Sequence, residues 1–298
     1  MSQTAVSGRF AHRGGSDRVG SRRIGVGVTS GMAPQIPDRR RLDGRVALVT
    51  GVSRPIGIAA TVAQRLHDQG ATVVATGWSP HDAEMPWGEQ PLEPMPFEVG
   101  EHDLEDPAVP GMLVDEVVEL HGRIDIVAAV HARSSHESLD EVSADELDRC
   151  WAANVRSVVL LAQRFAQRHV SIPSSAPPVG RMLWFTSGQG LQPMDGEIAY
   201  AVSKGALHQM TRSIDRALSR ARIIANCINP GPVDTGYADG DAHTTVTRMF
   251  PDGRWGTPSD IADVVGFLAS DEGAWIRGQV LDVEGGFDRF AWHNVHDL

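Results

Sequence analysis

The sequence predicts an α/β protein: a single doubly wound domain in which a seven-stranded parallel sheet carries helices on both faces. Short apolar runs alternate with segments of helical periodicity along most of the chain. The runs are apolar at nearly every position, which is typical of parallel strands buried on both faces. The first run, Val46 to Thr50, passes through a glycine turn into a helical segment and then into a second apolar run, as in a βαβ unit.

The order of the elements follows from the same pattern. Strands are expected at 46–50, 72–76, 96–100, 125–130, 181–186, 222–228 and 280–283. Helices are expected at about 58–70, 107–121, 144–169, 198–219 and 258–270. Residues 77–96 hold several prolines and no periodicity, which predicts a long loop.

Charge is distributed unevenly along the 298 residues. Residues 1–41 contain eight arginines and two aspartates, a balance of +6, whereas the remainder has a balance of −17. The first segment has almost no apolar clustering, so we expect 1–41 to be a disordered basic extension and 42–298 to be the folded domain. The acidic balance of the domain argues against nucleic acid as a partner.

Membrane insertion and metal binding have no support in the sequence. No stretch approaches the roughly 18 uninterrupted apolar residues that a membrane span requires. Cys150 and Cys227 are far apart and lack metal-ligand spacing, which indicates buried thiols in a reduced, cytoplasmic protein. The twelve histidines include no paired-ligand spacing, so we expect no metal site.

A glycine-rich turn joins the first strand to the first helix, with the sequence Thr50-Gly-Val-Ser-Arg-Pro-Ile-Gly57. Glycines at such a turn let the backbone approach a pyrophosphate, which rests on the free N–H groups of the helix. Because the turn follows a buried strand and opens an amphipathic helix, it predicts dinucleotide binding.

The chain has 26 arginines and a single lysine, Lys204, which follows Tyr200 by four positions. Positions i and i+4 share a helix face, so the ammonium would lie near the phenol and lower a pKa that starts at about 10. A phenol tuned in this way can donate a proton to a carbonyl oxygen as a hydride arrives. A compact ammonium can also bond a ribose, a role that the bulkier, planar guanidinium of arginine fills less well.

Together these motifs resemble the short-chain dehydrogenase/reductase family over about residues 42–287. In that family a serine thirteen positions before the tyrosine bonds the substrate oxygen, and here it is Ser187. A helix asparagine holds a water linked to the lysine, and here it is Asn154. The resemblance implies a Rossmann-type domain with the catalytic residues Asn154, Ser187, Tyr200 and Lys204.

The resemblance also implies where the cofactor binds. The interval from Gly57 to Gly70 matches the family's interval from its second glycine to the helix-ending glycine, so Ala59 takes the third place and the loop is two residues longer. The turn after the sixth strand matches Asn229 to Thr235. The implied cofactor-binding residues are Gly51, Ser53, Arg54, Gly57, Ile58, Asp103, Leu104, Ala129, Tyr200, Lys204, Pro230, Gly231, Val233 and Thr235.

The residues near the end of the second strand favour NADP(H) over NAD(H). A dehydrogenase that prefers NAD usually carries an acid there to bond the ribose hydroxyls. This chain reads Thr76-Gly-Trp-Ser79, and the first acid is Asp82. We expect Arg54, in the first loop, to meet the 2′-phosphate.

The implied activity is interconversion of a ketone and a secondary alcohol on a small-molecule substrate. Among family members, the sequence most resembles the 3-oxoacyl-[acyl-carrier-protein] reductase-like ones. An enoyl-type or NAD-linked reductase stays open, because the long first loop also resembles the enoyl-reductase branch. Members of that branch carry the tyrosine and lysine seven positions apart, however, whereas here the interval is four.

One stretch departs from the family pattern, and this leaves a third reading open: a cofactor-binding regulator without turnover. Where the family has Asn-Asn-Ala-Gly, this chain has Ala129-Val-His-Ala132. We expect His131 either to hydrogen-bond across the sheet or to fill space.

The resemblance also implies how the protein assembles, and the loops indicate where the substrate binds. Family members are usually dimers or tetramers packed through two long helices, so the resemblance implies a homo-oligomer. The apolar residues Val158, Leu160, Leu161 and Phe165 suit either such a bundle or a stripe that faces the sheet. We expect the substrate pocket to include the loops at about 188–197 and 236–252, with 236–250 as a mobile lid.

Overall fold

A computed structural model describes residues 42–169, 180–238 and 240–287 of the chain. The segment 1–41, expected to be disordered, lies outside the described residues. Seven parallel strands form one sheet in the order β3-β2-β1-β4-β5-β6-β7, which confirms the predicted fold class. The strands are β1 (Val46–Thr50), β2 (Thr72–Gly77), β3 (Val99–Glu101), β4 (Ile126–Ala129), β5 (Gly180–Phe185), β6 (Ile223–Asn229) and β7 (Val280–Asp282).

Helices cover both faces of this sheet. They are α1 (Ile58–Asp68), α2 (Ser79–Glu84), α3 (Val109–His121), α4 (Ala144–Cys150), α5 (Ser157–Arg168), α6 (Ile198–Leu218), α7 (Gly240–Thr247) and α8 (Pro258–Ala269). One apolar core lies between the sheet and α1 and α8, and a second lies between the sheet and α3, α5 and α6. Val158, Leu161 and Phe165 belong to the second core and Leu160 is half-buried, so this stripe faces the sheet.

Two segments expected to be loops contain short helices. In 77–96 the chain forms α2, where Pro80 stands in the first turn, a position that tolerates its missing N–H. After α2, the indole N–H of Trp87 donates to the carboxylate of Asp82 at 2.8 Å and so ties the following segment to this helix. In 236–252 the chain forms α7, and the ring of Trp255 stacks on His243 at a centroid distance of 4.9 Å.

The long helix predicted at 144–169 is continuous but changes its winding. Between α4 and α5, Trp151–Arg156 form a π-helical turn. Such turns leave carbonyl groups available to partners outside the helix and often mark functional sites. Here the turn carries Asn154, and the carbonyl oxygen of Ala153 accepts a hydrogen bond from a side chain of the neighbouring loop.

The strand order reverses direction between β1 and β4. From β1 the chain moves to β2 and β3 on one side, and it later returns to β4 on the other. Open α/β sheets bind ligands at the carboxyl ends of the strands beside such a reversal. Within the described ranges, no helix is both long and apolar enough to cross a bilayer.

Candidate active site

A cleft of about 520 Å³ opens at the carboxyl ends of the strands, beside the neighbouring strands β1 and β4. The loops after β1, β2, β4, β5 and β6 form its walls. Most of the predicted site residues line it: Gly51, Ser53, Arg54, Gly57, Ile58, Asp103, Leu104, Ser187, Tyr200, Lys204, Pro230, Gly231, Val233 and Thr235. Asn154 and Ala129 do not.

Ala129, predicted to contact the cofactor, does not line the cleft. Ala129 is the last residue of β4, and its side chain is buried in the core on the α3 and α5 side. The cleft is lined instead by residues of the loop after β4, among them Val130 to Ala132.

The glycine turn packs too closely for any side chain at its first position. Gly51 has φ +90°, and its N–H donates to the carbonyl of Thr76 at 2.7 Å. A Cβ atom added at Gly51 would lie 2.6 Å from both Cα and N of His131. Gly57 is the N-cap of α1 and has no side chain to cap the helix. The N–H groups in the first turn of α1 therefore stay available to an anion.

Arg54 crosses the cleft from the turn towards the loop after β6. Its Nη2 donates to the carbonyl oxygen of Thr235 at 2.6 Å, and its guanidinium carbon lies 5.1 Å from the centroid of the Trp87 ring. Burial lowers the pKa of Arg54, and the carboxylate of Asp82 acts in the opposite direction. The buried Nε–H of Arg54 has no hydrogen-bond partner among the described residues.

These groups fit a dinucleotide. A helix N-terminus without a capping side chain and a buried guanidinium N–H without a partner are both suited to phosphate oxygens. Asp103 and Leu104, expected to contact the adenine, lie on the same cleft beyond β3. In the loop after β6, the N–H of Gly231 donates to the side chain of Asn229 at 3.2 Å and so fixes the turn that carries Thr235.

Tyr200, Ser187 and Lys204 meet at the other end of the cleft. Tyr200 and Lys204 share one face of α6, with the ammonium nitrogen 5.5 Å from the centroid of the phenol ring. The ammonium is buried and donates to the carbonyl of Phe185, the last residue of β5, at 2.9 Å. Ser187, two residues further on, lies close enough to the phenol of Tyr200 for its hydroxyl to act on the pKa of that phenol.

The electrostatics differ from the sequence-based expectation of a lowered tyrosine pKa. Burial raises the pKa of Tyr200 to about 12, and only the hydroxyl of Ser187 acts against it. Burial also lowers the pKa of Lys204 to about 8. The loss of solvation thus dominates for both groups, because neither charge is fully compensated inside the cleft wall.

Asn154 does not line the cleft but hydrogen-bonds residues beside it. Its side-chain oxygen accepts from the N–H of Arg133 at 2.7 Å, and its amide N–H groups donate to the carbonyl of Arg133 at 3.0 Å and to Ser203 at 2.8 Å. Asn154 therefore fixes the loop after β4 against α6, directly beside Lys204.

Sequence reasoning missed several residues of the cleft. Arg133 is buried, with its guanidinium 2.9 Å from Glu146, 3.3 Å from Glu84 and 3.4 Å from Glu105. No local spacing indicates this cluster, since its acids come from α4, α2 and the loop after β3. The side chains of Trp87, His136, Glu197 and Tyr237 also line the cleft, and they too are brought together only by the tertiary fold.

Comparison with known proteins identifies the family. A family model described as enoyl-(acyl carrier protein) reductase matches residues 51–288. The uncharacterized oxidoreductase YjdA of Bacillus subtilis is 35% identical over 247 residues, which cover 82% of this chain and 97% of that protein. The chain belongs to the short-chain dehydrogenase/reductase family.

Further members have more specific names. Versicolorin reductase stcU of Emericella nidulans is 30% identical over 270 residues, covering 84% of this chain and 97% of that protein. The crystal structure of a short chain dehydrogenase from Burkholderia cenocepacia J2315 in complex with NADP superimposes with a TM-score of 0.70 at 30% identity. It covers 83% of this chain and 98% of that one. This chain is accordingly an oxidoreductase of the short-chain dehydrogenase/reductase family.

His131, which stands in the stretch where the family resemblance implies asparagines, is fully hydrogen-bonded. Its Nε2–H donates to the carbonyl of Ala153 at 2.9 Å, and its Nδ1 therefore accepts from the hydroxyl of Thr50 at 2.5 Å. The imidazole thus ties β1 to the π-helical turn, which is the first of the two roles expected for it. Burial and the ammonium of Lys204 lower the pKa of His131 to about 3, so the ring is neutral.

This neutral histidine predicts a pH dependence of stability. The unfolded chain binds a proton at a histidine pKa of about 6.5, whereas folded His131 does so only at about 3. The unfolded state thus holds more protons between these values, and the folded state loses stability as the pH falls. Replacing His131 with asparagine should reduce the loss between about pH 7 and about pH 4.5 by on the order of 2 kcal/mol, measured by urea unfolding.

The matched control is His208→Asn, which changes an exposed histidine on α6. This variant should follow the wild-type pH profile. Equal slopes for His131→Asn and the wild type would contradict the neutral, buried state of His131.

The described residues include no group of three or more histidine, cysteine, aspartate or glutamate side chains placed to hold a metal ion. Both cysteines are buried, and burial raises the thiol pKa to about 12 in each.

Proposed function

We propose that this oxidoreductase uses NADP(H) to interconvert a ketone and a secondary alcohol. The observation that carries the proposal is the meeting of Tyr200, Ser187 and Lys204 on one wall of the cleft whose other end is formed by the glycine turn and the N-terminus of α1. A proton donor and a phosphate-binding turn in one cleft are the two parts that such a reaction requires.

Each side chain has a distinct task in the direction of reduction. A pKa of about 12 keeps the phenol of Tyr200 protonated at neutral pH, and it donates this proton to the carbonyl oxygen. The hydroxyl of Ser187, which lines the cleft beside the phenol, orients the same oxygen. The Lys204 ammonium lies near the ring and stabilises the phenolate as it forms. A bound nicotinamide would supply the hydride to the carbonyl carbon.

Asn154 acts as a positioning residue in this proposal. By bonding both backbone groups of Arg133 and the hydroxyl of Ser203, it holds the loop after β4 at a fixed distance from α6. Ser203 is the neighbour of Lys204 in the helix, so the same contacts restrain the lysine.

Preference for NADP(H) is supported by two observations. The buried Nε–H of Arg54 is a donor without a partner among the described residues, which suits a phosphate oxygen. The Burkholderia cenocepacia relative was solved in complex with NADP.

One observation favours NAD(H) as a second candidate cofactor. Asp82 lines the cleft, and its buried Oδ2 has no partner in the part of the chain that the structure describes. A carboxylate at this point suits the hydroxyls of an unphosphorylated ribose.

Enoyl reduction is the second candidate reaction, because the matching family model carries that description. The four-position interval between Tyr200 and Lys204 and the position of Ser187 beside the phenol favour carbonyl chemistry.

Steady-state rates with a panel of ketones and α,β-unsaturated thioesters, each with NADPH and NADH, test the proposal. We expect ketones to be reduced, with kcat/KM for NADPH at least about tenfold above that for NADH, since one charge-assisted phosphate contact is worth about this factor. Turnover confined to the unsaturated thioesters would establish the second candidate. Binding of NADPH without turnover of any substrate would favour the regulator.

A further inference from the structure

An acidic group stands on the substrate side of the cleft. Glu197 precedes α6 and is three positions before Tyr200. Its carboxylate lies 3.8 Å from Nδ1 of His136, which comes from the loop after β4. Both residues line the main cleft and also a smaller adjoining cavity of about 360 Å³ formed with residues 192–196.

The charge of Glu197 acts on the reacting end of the cleft. It raises the pKa of Tyr200 and also that of Tyr237, so the carboxylate lies within electrostatic reach of both phenols. Its side chain is 35% exposed, and no described residue donates a hydrogen bond to its oxygens. Burial raises the pKa of Glu197 and His136 acts against this, which leaves a carboxylate that a ligand donor would stabilise.

The arginines and the lysine that line the cleft each make at least one contact within the protein. Lys204 donates to the carbonyl of Phe185, Arg54 donates to the carbonyl of Thr235, and Arg133 is surrounded by three glutamates. In the described part of the chain, the substrate side thus presents a carboxylate and an imidazole but no arginine or lysine that would pair with an anionic substrate.

We propose that Glu197, with His136, is a specificity-determining site that selects ketones carrying a hydrogen-bond donor, above all a cationic amine, and rejects ketones carrying a carboxylate. This inference rests on the proposed function. A donor on the substrate would reach an acceptor that the protein leaves without a hydrogen bond, whereas a substrate carboxylate would face a like charge.

Three ketones of the same shape test the site: 4-(aminomethyl)acetophenone, 4-methylacetophenone and 4-acetylbenzoate. The readout is the ratio of kcat/KM for the cationic ketone to that for the anionic one, determined within each protein so that general losses of activity cancel. We expect the wild-type ratio to exceed about tenfold, and Glu197→Gln to reduce it by about tenfold.

Two further variants test whether the change in ratio depends on the charge and the position of Glu197. Glu197→Asp keeps the charge and should keep a ratio above one. Asp252→Asn removes the same charge from an exposed position outside the cleft lining, so it should change the ratio by less than about twofold because exposed charges are screened.

The outcomes separate the two proposals. If the ketones are reduced but the ratio is independent of residue 197, or the anionic ketone is preferred, the selectivity site is overturned while the proposed function stands. If the protein reduces no ketone at all, the proposed function fails and the selectivity site fails with it.

Discussion

Replacing Tyr200 with phenylalanine is expected to lower kcat for ketone reduction by about 10³-fold, because the reaction loses the phenol that is proposed to protonate the carbonyl oxygen. The aromatic ring and its contact with the Lys204 ammonium remain, so the cleft keeps its shape. The Kd for NADPH should stay within about tenfold of wild type, since at most one hydrogen bond to the cofactor is lost. Single-turnover kinetics and fluorescence titration measure the two quantities separately.

Tyr237→Phe is the matched control, since the chain has only two tyrosines and both line this cleft. Tyr237 is half-exposed and lies in the loop before α7, so its loss should lower kcat by less than about tenfold. Equal losses in the two variants, or near-normal turnover in Tyr200→Phe, would remove Tyr200 from the role of proton donor.

The sheet and its helices were predictable from sequence because burial on both faces makes parallel strands apolar throughout. This signal is local, and it places β1, β2 and β4 to β7 within one or two residues of their observed bounds. The signal fails for 77–96, where the structure depends on a contact that no periodicity encodes: the hydrogen bond from Trp87 to Asp82. The helix α2 has only six residues, too few to show a pattern.

The proximity of Tyr200 and Lys204 was predictable from spacing, but their pKa shifts were not. An interval of four positions places Tyr200 and Lys204 on one face of α6, and the structure agrees. The sequence does not reveal that the ammonium bonds the carbonyl of Phe185 on β5, or that burial raises the pKa of the phenol. The partners of His131 and the position of Glu197 likewise depend on segments far apart in the chain.

The approach of the glycine turn to β4 predicts a large loss of stability for Gly51→Ala. The backbone at Gly51 has φ +90°, and the new methyl group would lie 2.6 Å from two backbone atoms of His131. Backbone atoms at the end of a buried strand cannot move aside as a flexible side chain can. We expect the free energy of unfolding to fall by about 3 kcal/mol or more, from the left-handed conformation and the overlap together.

Gly44→Ala separates these two contributions. Gly44 also has a positive φ, +75°, but a Cβ atom there would have no neighbour within 4 Å. Its substitution should cost only about 1 kcal/mol, the backbone contribution alone. Urea unfolding of both variants measures the difference, and equal losses would mean that His131 can move away. That result would also weaken the cofactor proposal, because the same contact holds the turn in the shape that leaves the N-terminus of α1 open to a phosphate.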